Sequence, residues 1–152
     1  GLPGIEKGYE SFLDGGAVHP LQEEAIKLIN PDTVTQEAGL IQSVFKQKRD
    51  YMLKRLRKMG FIIDVEPEAT FYIWADLSQL PTPLSNCQAF FKACLAEKVI
   101  TVPGIFFDVN PGQRRLQQHS KYTNYVRISF GPSMDSLITG CDSIQRVIDA
   151  HL

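Results

Sequence analysis

The sequence predicts an α/β fold: a two-layer sandwich in which a small mixed or antiparallel sheet packs against helices. Three observations lead there. Tyr125-Val126-Arg127-Ile128-Ser129-Phe130 alternates apolar and polar side chains, the period of a strand with two unlike faces. Residues 70–77 repeat that alternation, with Phe71, Ile73 and Ala75 opposed to Tyr72, Trp74 and Asp76. Around them lie stretches whose apolar residues step by threes and fours, the period of helices with one buried stripe.

In chain order, Gly1-Leu2-Pro3-Gly4 is a breaker cluster, and residues 5–13 carry a short helical stripe. Asp14-Gly15-Gly16-Ala17 predicts a turn. Pro20 suits the first turn of a helix reaching about Ile29, with Leu21, Ala25, Leu28 and Ile29 facing inward. Asn30-Pro31 stops it. The longest helix follows, capped by Asp32 or Thr33 and ended by Gly60. Its stripe is Val34, Ala38, Ile41, Phe45, Met52, Leu56 and Met59, interrupted by Lys48. Lys54, Arg55, Arg57 and Lys58 read as a solvated helix end, where the dipole favours cations.

Residues 61–65 and 70–77 predict an antiparallel strand pair joined by a short loop. Asn86 caps a helix to Lys98 with Phe90, Phe91, Cys94 and Leu95 as its stripe. Residues 99–102 form a short strand ended by Pro103-Gly104, and residues 107–123 form a long loop. The strand from Tyr125 ends at Gly131-Pro132, because proline cannot donate to a ladder. Ser133 caps a last helix whose stripe runs Met134, Leu137, Ile138, Cys141, Ile144, Val147 and Ile148.

Composition narrows the function. The chain has 152 residues, the length of one domain that buries about two thirds of its unfolded surface. A net charge of −1 leaves no electrostatic footprint for nucleic acid or an anionic membrane, and no apolar run approaches a membrane span. Cys87, Cys94 and Cys141 are an odd number without C-x-x-C spacing, so they read as reduced, mostly buried cysteines of a cytoplasmic protein. His19, His119 and His151 lie far apart and outside any metal spacing. Asp64, Glu66, Glu68 and Asp76 could pair, but carboxylates around a hairpin are usually solvated. No self-contained catalytic set and no metal site are visible. Arg127 is a planar fork suited to a carboxylate, and its spacing alone serves equally an exposed arginine or one paired to a structural acid.

The order Thr101-Val102-Pro103-Gly104-Ile105-Phe106-Phe107, Asn110-Pro111-Gly112, the Arg127 strand and a helix from Ser133 resembles the C-terminal small domain of the fold-type-I pyridoxal-phosphate enzymes, the class I and II aminotransferases. Pro67-Glu68-Ala69-Thr70-Phe71-Tyr72-Ile73-Trp74 resembles that family's P-x-G-x-F-Y-x-W segment. The likeness runs from about Gly8 to the end. It implies that Arg127 binds the substrate α-carboxylate and that Gly104 stands at the mouth of the substrate pocket. It also implies that Gly15, Gly16, Ala17 and His19 belong to a turn approaching the neighbouring subunit's active site in a homodimer. The substrates would be amino acids and 2-oxo acids.

In the family, the cofactor lysine and its partner acid sit in a large domain that precedes this segment. The resemblance therefore makes residues 1–152 a single domain, the C-terminal part of a larger enzyme, supplying no catalytic residue. Pyridoxal phosphate belongs to the parent and is not bound by this chain alone. Gly1-Leu2-Pro3-Gly4 matches the middle of the family's lysine motif S-K-x-x-G-x-P-G-x-R-x-G, yet Glu6 stands where its arginine should be. Either these residues are a remnant of the large domain with a strand's worth of sequence missing, or the match is accidental. The alternative function is a stand-alone interaction or ligand-binding module that kept the fold without the chemistry.

Overall fold

The structure, a computed structural model, describes residues 18–109, 116 and 119–152, and for Lys27 and Leu28 the backbone alone. The predicted helix over residues 5–13, the Gly15-Gly16-Ala17 turn and Asn110-Pro111-Gly112 lie outside the described residues. The chain packs as two units, divided between Gln42 and Ser43.

In the first unit, α1 is His19–Leu28 with Pro20 in its first turn. Of its expected inward stripe, Leu21 and Ile29 are each 68% exposed and Ala25 is half-buried, since no described element covers them. Helix α2, Pro31–Lys58, runs through the division. Its start differs from expectation by two residues. Asn30 Oδ1 accepts the Asp32 backbone N–H at 2.9 Å, so Asn30 does the capping and Pro31 supplies the preset φ of the first turn. The early part of its apolar stripe is bare, with Val34 at 50% and Ile41 at 57% exposure.

The second unit holds the core. Met52, Leu53, Leu56 and Met59 of α2 and its last turn are buried. Gly60 then takes φ +95°, a left-handed stop that favours glycine, and Phe61 N–H bonds back to Leu56 O at 3.2 Å. Lys48 interrupts the apolar stripe for a reason. Its Nζ donates to Gly131 O at 3.1 Å, joining α2 to the end of the central strand. The basic helix end is likewise tethered as well as solvated. Arg55 donates to Asp142 at 2.7 Å, and Arg57 to Glu66 at 2.7 Å.

Three strands form the sheet among the described residues: β1 Tyr72–Asp76, β2 Val102–Pro103 and β3 Tyr125–Ser129. Their order is β1-β3-β2, with both pairings antiparallel. Ile73 pairs with Ile128 and Ala75 with Val126, and all four are buried on the core face. The strand expected at residues 61–65 shrinks to one bridge, Ile62 to Asp76. Ile62 exchanges both of its backbone bonds there, after which Val65, 79% exposed, has nothing to pack on. The strand expected at 99–102 also shortens to β2, an edge strand that tolerates Pro103.

Two helices close the core. In α3, Cys87–Ala96, Asn86 Oδ1 accepts from the N–H groups of Gln88 and Ala89, as its cap position predicts. In α4, Met134–Asp149, Ser133 accepts from Ser136 N–H. Phe90, Cys94, Leu137, Cys141, Ile144 and Val147 meet the sheet's apolar residues in one cluster with the end of α2. No described helix is long and apolar enough to cross a membrane.

Candidate functional site

The site is built on the sheet face turned away from that core. Alternation places Tyr72, Trp74 and Asp76 of β1 beside Tyr125, Arg127 and Ser129 of β3. Arg127 stands in the middle strand, opposite Trp74 on one side and Val102 on the other.

The environment of Arg127 is aromatic. Its guanidinium carbon lies 4.1 Å from the Tyr72 ring centroid and 4.6 Å from that of Phe107. Tyr72 comes from β1; Phe107 ends the short 3-10 turn Gly104–Phe107 that follows β2. The two rings therefore reach the arginine from opposite neighbours of β3. No described carboxylate pairs with the guanidinium, and its Nε is buried without a hydrogen-bond partner. An unpaired polar group away from water is costly, and no described side chain offsets that cost at Nε.

Trp74 extends the aromatic surface. It stacks on Tyr125 with centroids 5.5 Å apart and planes at 11°, and it meets Phe107 and Tyr122 edge-on at 5.5 and 5.4 Å. Beyond it a cleft of about 360 Å³ opens between Trp74, Tyr122, Tyr125, Lys121 and Asp64. The negative charge of Asp76 foremost, then burial and Asp64, pushes the Tyr125 phenol above its usual range. The Asp76–Tyr125 end of the face is thus acid-flanked, while Arg127 places a cation at its middle. A larger hollow of about 720 Å³, between α3 and α4, involves Glu97, Ser143 and Arg146 and no residue of this face.

Gly104 is buried where the 3-10 turn meets β3. A Cβ there would stand 2.6 Å from both Tyr122 O and Tyr125 O. The absent side chain lets the turn lie close to the strand and so delivers Phe107 to Arg127. Of the other expected site residues, Gly15, Gly16 and Ala17 lie outside the described residues. His19 opens α1 in the other unit, exposed and 3.8 Å from Glu23. His151 Nδ1 lies 2.7 Å from Val147 O at the end of α4, a helix-end role. Glu66 pairs with Arg57, and Asp76 accepts from Ser78 N–H. Among the described residues no His, Cys, Asp and Glu cluster could hold a metal.

Tyr72, Trp74, Phe107, Tyr122 and Tyr125 were not singled out from the sequence as site residues. The alternation of residues 70–77 and 125–130 already put three of them on the arginine's side. The signal for Phe107 was weaker, since only the pairing of β2 with β3 brings it there.

Comparison with known proteins follows the same lines. Residues 20–144 match the family described as aminotransferase class I and II. The chain is 30% identical over 142 residues to an LL-diaminopimelate aminotransferase 2 of Nostoc, which covers 92% of this chain and 31% of that protein. It is 32% identical over 100 residues to the aminotransferase AatC of Rhizobium meliloti, covering 64% of this chain and 24% of that one. Among solved structures, an aromatic aminotransferase of Pyrococcus horikoshii superposes with a TM-score of 0.72 at 20% identity, over 94% of this chain and 35% of the other, a likeness of fold. The chain spans about a quarter to a third of the length of the curated relatives it matches. An α/β sandwich with that antiparallel sheet, matched over residues 20–144, belongs to the class I and II aminotransferase family.

Proposed function

We propose that this chain is the C-terminal domain of a pyridoxal-phosphate-dependent amino-acid aminotransferase and that Arg127 binds the α-carboxylate of the amino-acid or 2-oxo-acid substrate. The observation that carries the reading is the buried, unpartnered Nε of Arg127 in a guanidinium that no described acid neutralises. A carboxylate meets such a fork through two parallel N–H···O bonds, and those bonds fix the orientation of the substrate as well as its affinity.

The reading leaves the cofactor's Schiff-base lysine outside this chain, as the family likeness implies. Lys48 is committed to Gly131 O, and the other lysines with described side chains occupy exposed positions. The reading assigns pyridoxal phosphate to a large domain of the complete protein. Gly104 at the pocket mouth, Gly15, Gly16, Ala17 and His19 at the edge of a second subunit, and a homodimer belong to the same proposal. The bare residues Val34, Leu40 and Ile41 of α2 support a surface that is covered in the assembled enzyme. Three free, buried cysteines suit a reducing compartment, and the cytoplasm is the proposed location.

The test uses the complete protein with three pairs of probes: L-alanine and ethylamine, L-phenylalanine and 2-phenylethylamine, L-lysine and cadaverine. Each amine lacks the α-carboxylate of its partner. Arg127→Lys keeps the charge and loses the fork, so kcat/KM for the amino acid should fall by about 1.5–3 kcal/mol, the worth of hydrogen bonds to a charged group. The amine should be unaffected. Equal losses on both members of a pair, no loss on the amino acid, or no turnover of any amino acid overturns the reading.

A further inference from the structure

We propose that Tyr72 and Phe107 are positioning residues that clamp the Arg127 guanidinium and hold its N–H edge toward the substrate carboxylate. The inference rests on the reading of Arg127 given above and adds how the chain keeps that arginine available.

An arginine inside a fold is ordinarily stabilised by an acid. That acid would occupy the same N–H groups that a substrate needs, and it would cancel the charge that attracts a carboxylate. Here the cation lies over two π faces instead, at 4.1 Å from Tyr72 and 4.6 Å from Phe107. A ring face is attracted to the cation through its quadrupole and takes no in-plane hydrogen bond from it. The charge is thereby accommodated while the fork stays empty, as the unpartnered Nε records.

The rings come from independent elements on either side of β3, so the guanidinium is restrained from both directions. Each ring is itself held. Phe107 meets Trp74 edge-on at 5.5 Å, and Tyr72 lies against Phe71 with centroids 4.3 Å apart. The close approach of Gly104 to Tyr125 sets where the turn carrying Phe107 can lie. Restraint before binding lowers the ordering cost that a long, flexible arginine otherwise imposes when it engages a ligand.

The experiment compares Phe107→Leu, Tyr72→Leu, Tyr72→Phe and Arg127→Lys in the complete protein, with whichever of the three probe pairs it turns over fastest. Leucine keeps apolar bulk and removes the π face. Each leucine variant should raise KM for the amino acid by about ten-fold, keep kcat within about two-fold and leave KM for the amine unchanged. Tyr72→Phe keeps the ring and should behave as wild type. If the leucine variants preserve the wild-type preference for amino acid over amine while Arg127→Lys loses it, the clamp is wrong and the carboxylate role of Arg127 stands. If Arg127→Lys also preserves the preference, the role itself is wrong. A second measurement needs no variant to fold. In the wild-type protein the Arg127 Nε–H resonance should be displaced by ring currents, with slowed rotation about Nε–Cζ. A random-coil shift with fast rotation overturns the clamp.

Discussion

Gly104 and Tyr125 meet so closely that the strand's own backbone excludes a side chain. A Cβ on Gly104 would lie 2.6 Å from the Tyr125 carbonyl oxygen and 2.9 Å from the Tyr125 Cβ. Neither atom is the far end of a flexible side chain, so the crowding can be relieved only by moving the turn or the strand. Gly104→Ala should therefore lower stability by about 1–3 kcal/mol, the usual cost of overpacking. It should also weaken carboxylate binding by displacing Phe107. Chemical denaturation together with amino-acid KM checks both, and an alanine variant of unchanged stability contradicts the contact.

Thr101 is 2% exposed, and its hydroxyl is buried without a hydrogen-bond partner. A buried hydroxyl without a partner costs free energy that a methyl group of similar shape does not. Thr101→Val should raise stability by about 1 kcal/mol. A loss of comparable size in urea unfolding would show that the hydroxyl is satisfied in solution.

Burial of α3 pushes the Cys94 thiol up to about 12 from an ordinary value of 9.0. The folded chain then keeps a proton that the unfolded chain has released. This contribution to stability is fully present below about pH 9 and falls as the pH rises toward 12. Cys141 is raised as well, again mainly by burial, with the same sign. The urea midpoint should drop between about pH 8 and about pH 10.5, and Cys94→Ala should flatten that slope relative to wild type. Identical slopes in the two proteins would contradict it.

How far the sequence carried the fold can be judged at particular residues. The strand around Arg127 was legible because Val126 and Ile128 face a core while their neighbours do not, and the observed strand ends within a residue of the expected one. Asn86, Ser133 and Gly60 were legible because caps and left-handed stops are local chemistry. Residues 61–65 misled because β-forming side chains were present without a partner strand beyond Ile62. The α1 stripe misled because periodicity names a face to be covered and not the element that covers it. At the site, the direction of Arg127 followed from alternation. Its partnership with Tyr72 and Phe107 needed the register Trp74–Arg127–Val102, which no local pattern encodes.

The aromatic surface has an optical consequence. Trp74 is the chain's single tryptophan, and it touches Phe107, Tyr122 and Tyr125. Its near-parallel stack on Tyr125, at 11° and 5.5 Å, couples the two chromophores. Excitation absorbed by Tyr122 and Tyr125 drains to one indole whose neighbour Phe107 rests on Arg127. The intrinsic fluorescence and near-ultraviolet dichroism of tryptophan in this chain therefore report on the arginine face alone, so the fold carries its own spectroscopic gauge beside the charge it holds open.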